Sequence, residues 1–150
     1  MTDDVLEVTV HIDAQPETVF SYFTDPAKYV LWMGSAARIV PEPGGEYHIY
    51  MRDGVETSGT VVEIEPTKRL VFTWGWVRDS AVPVGSSRIE VILQADGHGT
   101  LVTLKQHGLP SAQQREHHQR GWELYLSRLA LRAAGRDPGP DPNAPAWYYG

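Results

Sequence analysis

The stretch VTLKQHGLPSAQQREHHQRGWELYLSRL, residues 102–129, decides the fold because its hydrophobic period changes partway along. Its first part, up to Gln106, alternates apolar and polar positions, which predicts a strand with one buried face. A Gly-Leu-Pro run then breaks the strand, and Ser111 has the side chain of a helix N-cap. We predict that the longest helix runs from Ser111 to about Ala134, with Gly135 as its C-cap.

The two sides of this helix differ in composition. Its apolar stripe has helical spacing and predicts the face that packs on a sheet, with Trp122, Tyr125, Leu126 and Leu129. The other side carries charges that we interpret as an ordinary solvated surface, namely Arg115, Glu116, Arg120, Glu123 and Arg128.

The preceding segments have strand periods separated by turns. The first strand, Val5 to Ile12, leads into a helix from Pro16 to about Phe23, and a second short turn then reaches Trp32. From Ala36 onward, runs of strand length alternate with turn residues, which predicts an antiparallel meander. Residues two apart share a face, so the predicted inward rows are Tyr47, Ile49 and Met51; Leu70, Phe72, Trp74 and Trp76; Ile89, Val91 and Leu93; and Val102, Leu104 and Gln106.

These elements predict one α+β domain of the helix-grip class over residues 1–135. A curved antiparallel sheet of six to seven strands wraps around the long C-terminal helix, and two short helices follow the first strand. Gly59 inside a strand permits strong bending or close approach of another element, and Gly44-Gly45 permits a tight strand entry. Residues 136–150 form a Pro-rich C-terminal tail, which we expect to be extended or mobile as far as Trp147.

Composition narrows the function classes. A chain of 150 residues is long enough for one well-filled core, and the lack of cysteine excludes disulfides, thiolate metal sites and cysteine nucleophiles. The formal net charge of -6 argues against a nucleic-acid partner, because phosphate attraction needs a positive face. No apolar run approaches the ~20 residues of a membrane span, and the acidic N-terminus lacks secretory-signal features, so we expect a cytoplasmic protein.

Short motifs occur in a characteristic order over about residues 5–134. They are Ile12-Asp13-Ala14-Gln15-Pro16-Glu17-Thr18-Val19-Phe20, Thr24-Asp25-Pro26, Trp32, Pro43-Gly44-Gly45-Glu46-Tyr47, Gly59, Leu70-Val71-Phe72-Thr73-Trp74, Gly99-Thr100, His118 and Gly121-Trp122. This order resembles the SRPBCC superfamily of birch-pollen allergens and START-related lipid-transfer proteins, in the branch named for the C-terminal domain of the heat-shock-protein ATPase activator. The resemblance implies an internal cavity for lipids, sterols, polyketides or hormones, which a minority of relatives use for catalysis.

Aromatic and polar residues at inward positions are the candidates for such a ligand site. Aromatic walls suit flat apolar ligands, and a few polar groups orient them. The candidates are Trp32, Tyr47, Ile49, Met51, Trp74, Trp76, Gln106, His118, Trp122 and Tyr125. The alternative is that the rings pack as core and the polar side chains bond to nearby backbone. We also predict a pocket of about 300 Å³ or more between the sheet and the last helix.

Other chemistries have weaker signals. Ser86-Ser87 after Gly85 is interpreted as a plain hairpin loop and not as a nucleophile turn, and no glycine run forms a phosphate loop. General acid or base catalysis in the cavity stays open, because it depends on burial. We predict no metal and no cofactor, since metal-binding spacing is missing among the 6 histidines, which are His11, His48, His98, His107, His117 and His118.

Three functions follow, in order of preference. The first is binding or transport of a small apolar ligand, lipid-, polyketide- or aromatic-like, in the cavity, with a role in stress response implied by the resemblance. The second is an enzyme of the aromatase or cyclase type that uses the same cavity. The third is a chaperone-interacting module, which rests on the family name alone. The expected partner is thus a small molecule, and pairing of two copies as a homodimer stays open.

Overall fold

The computed structural model describes residues 4–52 and 54–141. Its elements follow the predicted order of one strand, two short helices, further strands and a long helix. They are β1 Leu6–Ile12, α1 Pro16–Thr24, α2 Pro26–Tyr29, β2 Ala36–Ile39, β3 Glu46–Arg52, β4 Val55–Glu65, β5 Arg69–Trp74, β6 Ser87–Asp96, β7 Gly99–His107 and α3 Ala112–Ala133. The tail residues Trp147, Tyr148 and Tyr149 lie outside the described residues.

The described strands form a seven-stranded antiparallel sheet in the order β1-β7-β6-β5-β4-β3-β2. Strands β2 to β6 each pair with the next strand of the chain, and β1 closes on β7, where Val8 lies opposite Leu104. Helix α3 packs on the inner face, where the ring centroids of Trp122 and Trp74 are 5.2 Å apart. The predicted helix-grip fold, with two short helices after β1, is therefore confirmed.

Curvature of the sheet depends on irregularities in β3 and β4. The β3–β4 register shifts after Tyr50, and the β4–β5 register shifts after Val61. Such shifts bend a strand and increase its twist. Between them lies Gly59, where a Cβ atom would overlap the carbonyl oxygen of Thr73 on β5. The close approach predicted for Gly59 is thus present, and it lets β4 bend against its neighbour.

Local backbone chemistry sets both ends of α3. Ser111 is the N-cap, and its side chain accepts a hydrogen bond of 3.1 Å from the backbone of the first turn. At the other end Ala134 is the C-cap, while Gly135 follows it with φ 84° and donates to the Arg132 carbonyl oxygen at 2.9 Å. The predicted C-cap at Gly135 is therefore displaced by one position, because glycine supplies the left-handed residue just after the cap.

One predicted surface charge is buried. Arg128 is only 7% exposed, although its spacing places it on the solvated side of α3. The chain after α3 turns back along the helix, and we call residues 137–141 the strap. The Arg128 side chain donates to the carbonyl oxygens of Trp32 at 3.0 Å and of Pro138 and Pro140 in the strap at 3.4 and 3.1 Å. The prediction is wrong because a helical period does not reveal a later segment that folds over the helix.

The described part of the tail contains no helix or strand. The strap is nevertheless bound to the domain, since Asp137 also lies 3.5 Å from Arg132. The division into a domain of residues 1–135 and a tail of residues 136–150 stays a prediction.

Gly59→Ala is expected to lower the free energy of unfolding by about 3 kcal/mol or more, because the new methyl group would overlap the β5 backbone. The control is Thr60→Ala at the next, exposed position of β4, which should cost about 1 kcal/mol at most. Urea unfolding followed by tryptophan fluorescence measures both changes. Equal losses in the two variants would contradict the role given to Gly59.

Candidate functional site

The interior between the sheet and α3 contains all the residues proposed for ligand binding. Each of them is 5% exposed or less. By element they are Trp32 after α2; Tyr47, Ile49 and Met51 on β3; Trp74 on β5 and Trp76 just beyond it; Gln106 on β7; and His118, Trp122 and Tyr125 on α3. The fold brings them into one buried layer. Their role as ligand contacts and the pocket between sheet and helix stay predictions.

One half of this interior is a row of rings between α2 and the middle of the sheet. The ring centroid of Tyr29 lies 4.7 Å from that of Trp32 and 6.0 Å from that of Tyr47, which stacks on Phe72 at 3.9 Å. Burial raises the pKa of both tyrosines, so their hydroxyls stay protonated, and Tyr47 donates to the Phe23 carbonyl oxygen at 2.7 Å. Sequence reasoning missed Tyr29, because a helix of 4 residues is too short to assign a face.

The other half is a group of three indoles against α3. The ring centroid of Trp74 lies 5.2 Å from that of Trp122 and 5.6 Å from that of Trp76, and Phe72 joins the two halves at 6.5 Å from Trp74. The prediction that Phe72, Trp74 and Trp76 share the inward face is confirmed. It holds although β5 ends at Trp74, because Trp76 forms a further bridge to Thr57 of β4.

A row of hydrogen bonds connects α3 to the sheet beneath these indoles. Trp122 Nε1 donates to Gln106 Oε1 at 2.9 Å, Gln106 Nε2 donates to Ser87 Oγ at 3.1 Å, and Ser87 Oγ donates to the Trp74 carbonyl oxygen at 2.7 Å. All four residues are buried. Gln106 therefore bonds to side chains and not to nearby backbone, and a buried row of this kind holds one orientation of the Trp122 ring.

Ser87 corrects the interpretation of Ser86-Ser87 as a plain loop. It begins β6, lies opposite Trp74 and is 3% exposed. The loop is shorter than predicted because the β5–β6 pairing continues to this residue. The signal was present in the sequence, since Ser87 extends the inward row of Ile89 and Val91 by one period of two.

His118 joins the indole group to α3. Its Nε2 accepts from Trp76 Nε1 at 3.1 Å, and its Nδ1 lies 2.9 Å from the carbonyl oxygen of Gln114. This pair of partners places the ring proton on Nδ1. Burial lowers the pKa of His118 to about 4, so the ring is neutral at neutral pH. The backbone bond that the alternative interpretation gave to His118 is present, and the Trp76 bond adds to it.

Tyr125 is held by the strap. Its hydroxyl donates to Asp141 Oδ1 at 2.7 Å, and Asp141 Oδ2 accepts from the backbone N–H of Gly34 at 3.1 Å. Asp141 thus connects α3 to the loop between α2 and β2. A residue of the tail therefore binds the hydroxyl that the sequence suggested for a ligand.

Two further polar side chains in this layer escaped the sequence analysis. Thr57 is 1% and Gln114 8% exposed. Thr57 Oγ1 and Gln114 Oε1 have no hydrogen-bond partner among the described residues, as also holds for Nδ1 of the half-buried His117. The available signals were the alternation of β4, which turns Thr57 inward, and the position of Gln114 one turn before His118.

The buried layer is poor in charge. Within residues 4–51 and 54–141, the buried polar or charged side chains are Thr57, Ser87, Thr100, Gln106, Gln114, His118 and Arg128. None of these is a carboxylate. The same residues contain no group of three metal-ligating side chains, and no described helix has the length and apolarity needed to cross a membrane.

Comparison with known families adds the identity of the domain. Residues 13–133 match the family described as Activator of Hsp90 ATPase homolog 1-like protein. The chain belongs to this family. No curated protein sequence matches it significantly. The resemblance found in the sequence is thus confirmed, together with its SRPBCC-type fold.

Solved structures agree with this membership. An AHSA1-like protein from Rhizobium etli is 44% identical, with a TM-score of 0.73 over 92% of this chain and 86% of that protein. DynU16, a protein of the dynemicin biosynthetic locus, is 24% identical, with a TM-score of 0.77 over 91% of this chain but only 49% of DynU16. The Aha1 dimer from Colwellia psychrerythraea is 15% identical, with a TM-score of 0.78 over 93% of this chain and 100% of that protein. The last two show the shared fold alone.

The pKa of His118 predicts a loss of stability in acid. The unfolded chain takes up a proton at this residue near pH 6.5, whereas the folded protein keeps the ring neutral down to about pH 4. The unfolded state binds more protons between these values, so the free energy of unfolding decreases as the pH falls through this window and levels off below it. The total loss is ~3 kcal/mol.

Urea unfolding of the protein and of His118→Gln at pH 7 and pH 5 measures this contribution. The loss on acidification should be ~2 kcal/mol larger in the unsubstituted protein, since most of the window lies between the two conditions. His98→Gln, at an exposed position, is the control and should behave like the unsubstituted protein. The same pH dependence in all three proteins would show that His118 does not titrate in this way.

Proposed function

We propose that this protein binds a small, flat apolar ligand between its sheet and α3. The observation that carries the proposal is the aromatic interior itself. The largest fully buried side chains include Trp32, Trp74, Trp122, Tyr29, Tyr47, Tyr125, Phe23 and Phe72. Indole and phenol rings offer wide apolar faces with one polar group each, which suits the recognition of aromatic or polycyclic ligands.

The polar groups of the interior support binding over simple packing. A core that serves stability alone gains most from aliphatic side chains, because buried polar groups need partners with good geometry. Here Gln106, Ser87 and His118 are all buried beside the indoles. Although each of them bonds to an interior partner, polar groups set among apolar walls are what orients a guest in a ligand pocket.

Similarity to DynU16 bears on the fold of the protein and not on its ligand class. DynU16 shares the fold and is a protein of the dynemicin biosynthetic locus. A polyketide-like or other polycyclic aromatic ligand would fit the ring-lined interior of the present chain. At 24% identity this similarity supports the fold alone, so the ligand class rests on the rings.

Catalysis of the aromatase or cyclase type in the same interior is the second candidate. A general acid or base needs a titratable group that can exchange a proton with the ligand. Both ring nitrogens of His118 are within hydrogen-bond distance of other groups, and no carboxylate is buried among the described residues. This arrangement favours binding. A chaperone-interacting role, which the family description suggests, has no comparable support in the interior.

Titration with 2-methylnaphthalene tests the binding proposal. The ligand should raise the melting temperature with concentration, as a molecule that binds only the folded state must, and calorimetry should give a saturable isotherm. Ile49→Phe adds bulk at a buried position of β3 and should weaken binding about tenfold or more. Its control, Tyr50→Phe, changes the exposed side of the same strand and should bind normally.

A protein that shows neither a rise in melting temperature nor a binding isotherm with this ligand would overturn the proposal. Equal weakening by both substitutions would place the ligand outside the interior and would overturn it as well. Native mass spectrometry of the purified protein adds an independent measurement, in which a retained apolar molecule supports a carrier.

A further inference from the structure

Thr57 stands between two inward neighbours. It lies opposite Ile49 of β3 on one side and opposite Trp76 on the other. Two backbone hydrogen bonds of 3.0 Å each flank the Thr57–Trp76 pair. Thr57 and Trp76 therefore form a non-hydrogen-bonded antiparallel pair, in which directly opposite side chains lie closest together. The hydroxyl-bearing side chain of Thr57 consequently lies beside the indole of Trp76 on the inner face.

The hydroxyl of Thr57 is buried and makes no hydrogen bond to any described residue. Thr57 is 1% exposed, and its Oγ1 has no hydrogen-bond partner among the described residues. Burying a hydroxyl without a partner is unfavourable, whereas valine would fill the same volume without that loss. Stability alone therefore favours valine at this position, and the threonine calls for another explanation.

A second buried polar atom without a partner among the described residues belongs to Gln114, on the turn of α3 before His118. Gln114 is 8% exposed, and its Oε1 has no partner among the described residues. It precedes His118 by one turn of α3, and its own carbonyl oxygen lies 2.9 Å from His118 Nδ1. Trp76 donates to His118, pairs with Thr57 on the sheet side, and is thereby linked through His118 to the backbone of Gln114 on the helix.

We propose that Thr57 and Gln114 bind a hydroxyl group of an aromatic ligand that lies against Trp76. The inference rests on the proposed function and specifies its ligand class as phenols and enols. A hydroxyl both donates and accepts, so it complements the Thr57 hydroxyl and the Gln114 amide together. A ligand with an ether or alkyl group at the same position would leave at least one of these polar atoms without a partner.

Comparison of 2-naphthol with 2-methylnaphthalene tests this assignment, because the two ligands differ only by a hydroxyl in place of a methyl group. The unsubstituted protein should bind 2-naphthol about tenfold more tightly, which corresponds to roughly one hydrogen bond. Thr57→Val should bring the two affinities within about twofold of each other, while the affinity for 2-methylnaphthalene stays the same. Thr57→Ser keeps the hydroxyl and should keep the preference.

The free Thr57→Val protein supplies a separate readout. Removal of a hydroxyl without a partner should raise the melting temperature by roughly 2 to 4 °C. A purely structural threonine would lower it on substitution, and that result would overturn the assignment. Gln114→Met, at a position on another element, provides the second variant and should also reduce the preference for 2-naphthol.

Each outcome of the ligand comparison is decisive. Binding of both ligands with equal affinity by the unsubstituted protein would overturn this inference and leave the proposed function intact. Failure of 2-methylnaphthalene to bind would overturn the proposed function and this inference with it. A tenfold preference that survives in both Thr57→Val and Gln114→Met would show that the hydroxyl is recognised elsewhere.

Discussion

The hydrogen bond from Trp122 to Gln106 fastens the long helix to the sheet at the centre of the protein. A bare apolar contact would let the helix rotate or slide, because hydrophobic packing has little direction. The indole N–H adds direction, and Ser87 continues the row of bonds to the backbone of β5. Trp74 packs against the oriented Trp122 ring, and Phe72 continues the ring contacts from Trp74 across the sheet.

The same arrangement gives the interior its chemical character. Its polar groups are hydroxyls, amides, indoles and a histidine that burial keeps neutral, and the buried arginine bonds to carbonyl oxygens at the strap. A neutral polar layer costs less to bury than an ionic one, and it discriminates between guests by hydrogen bonding. This chemistry suits recognition of an uncharged, partly polar molecule better than acid–base catalysis, which requires a group that gains or loses a proton.

Sequence periodicity was reliable wherever one element pairs with its neighbour. The alternation along residues 70–76 and the stripe of Trp122, Leu126 and Leu129 identified buried faces correctly. It was unreliable where a distant segment intervenes. Arg128 has the spacing of a surface residue but lies under the strap, and Tyr125 bonds to Asp141 of that strap. Short elements were a second weakness, since Tyr29 in α2 has too few neighbours to define a period.

Element types, their order and the inward side of each strand follow from the chain alone, because backbone geometry imposes periods of 2 and 3.6 residues on burial. The hydrogen-bond partners of buried polar atoms do not follow from the chain alone. Ser87 finds Gln106 and His118 finds Trp76 only after the sheet has curved and α3 has docked. That Thr57 Oγ1 and Gln114 Oε1 have no partner among the described residues is likewise visible only in the packed structure, since a hydrogen bond depends on distances of a few tenths of an ångström.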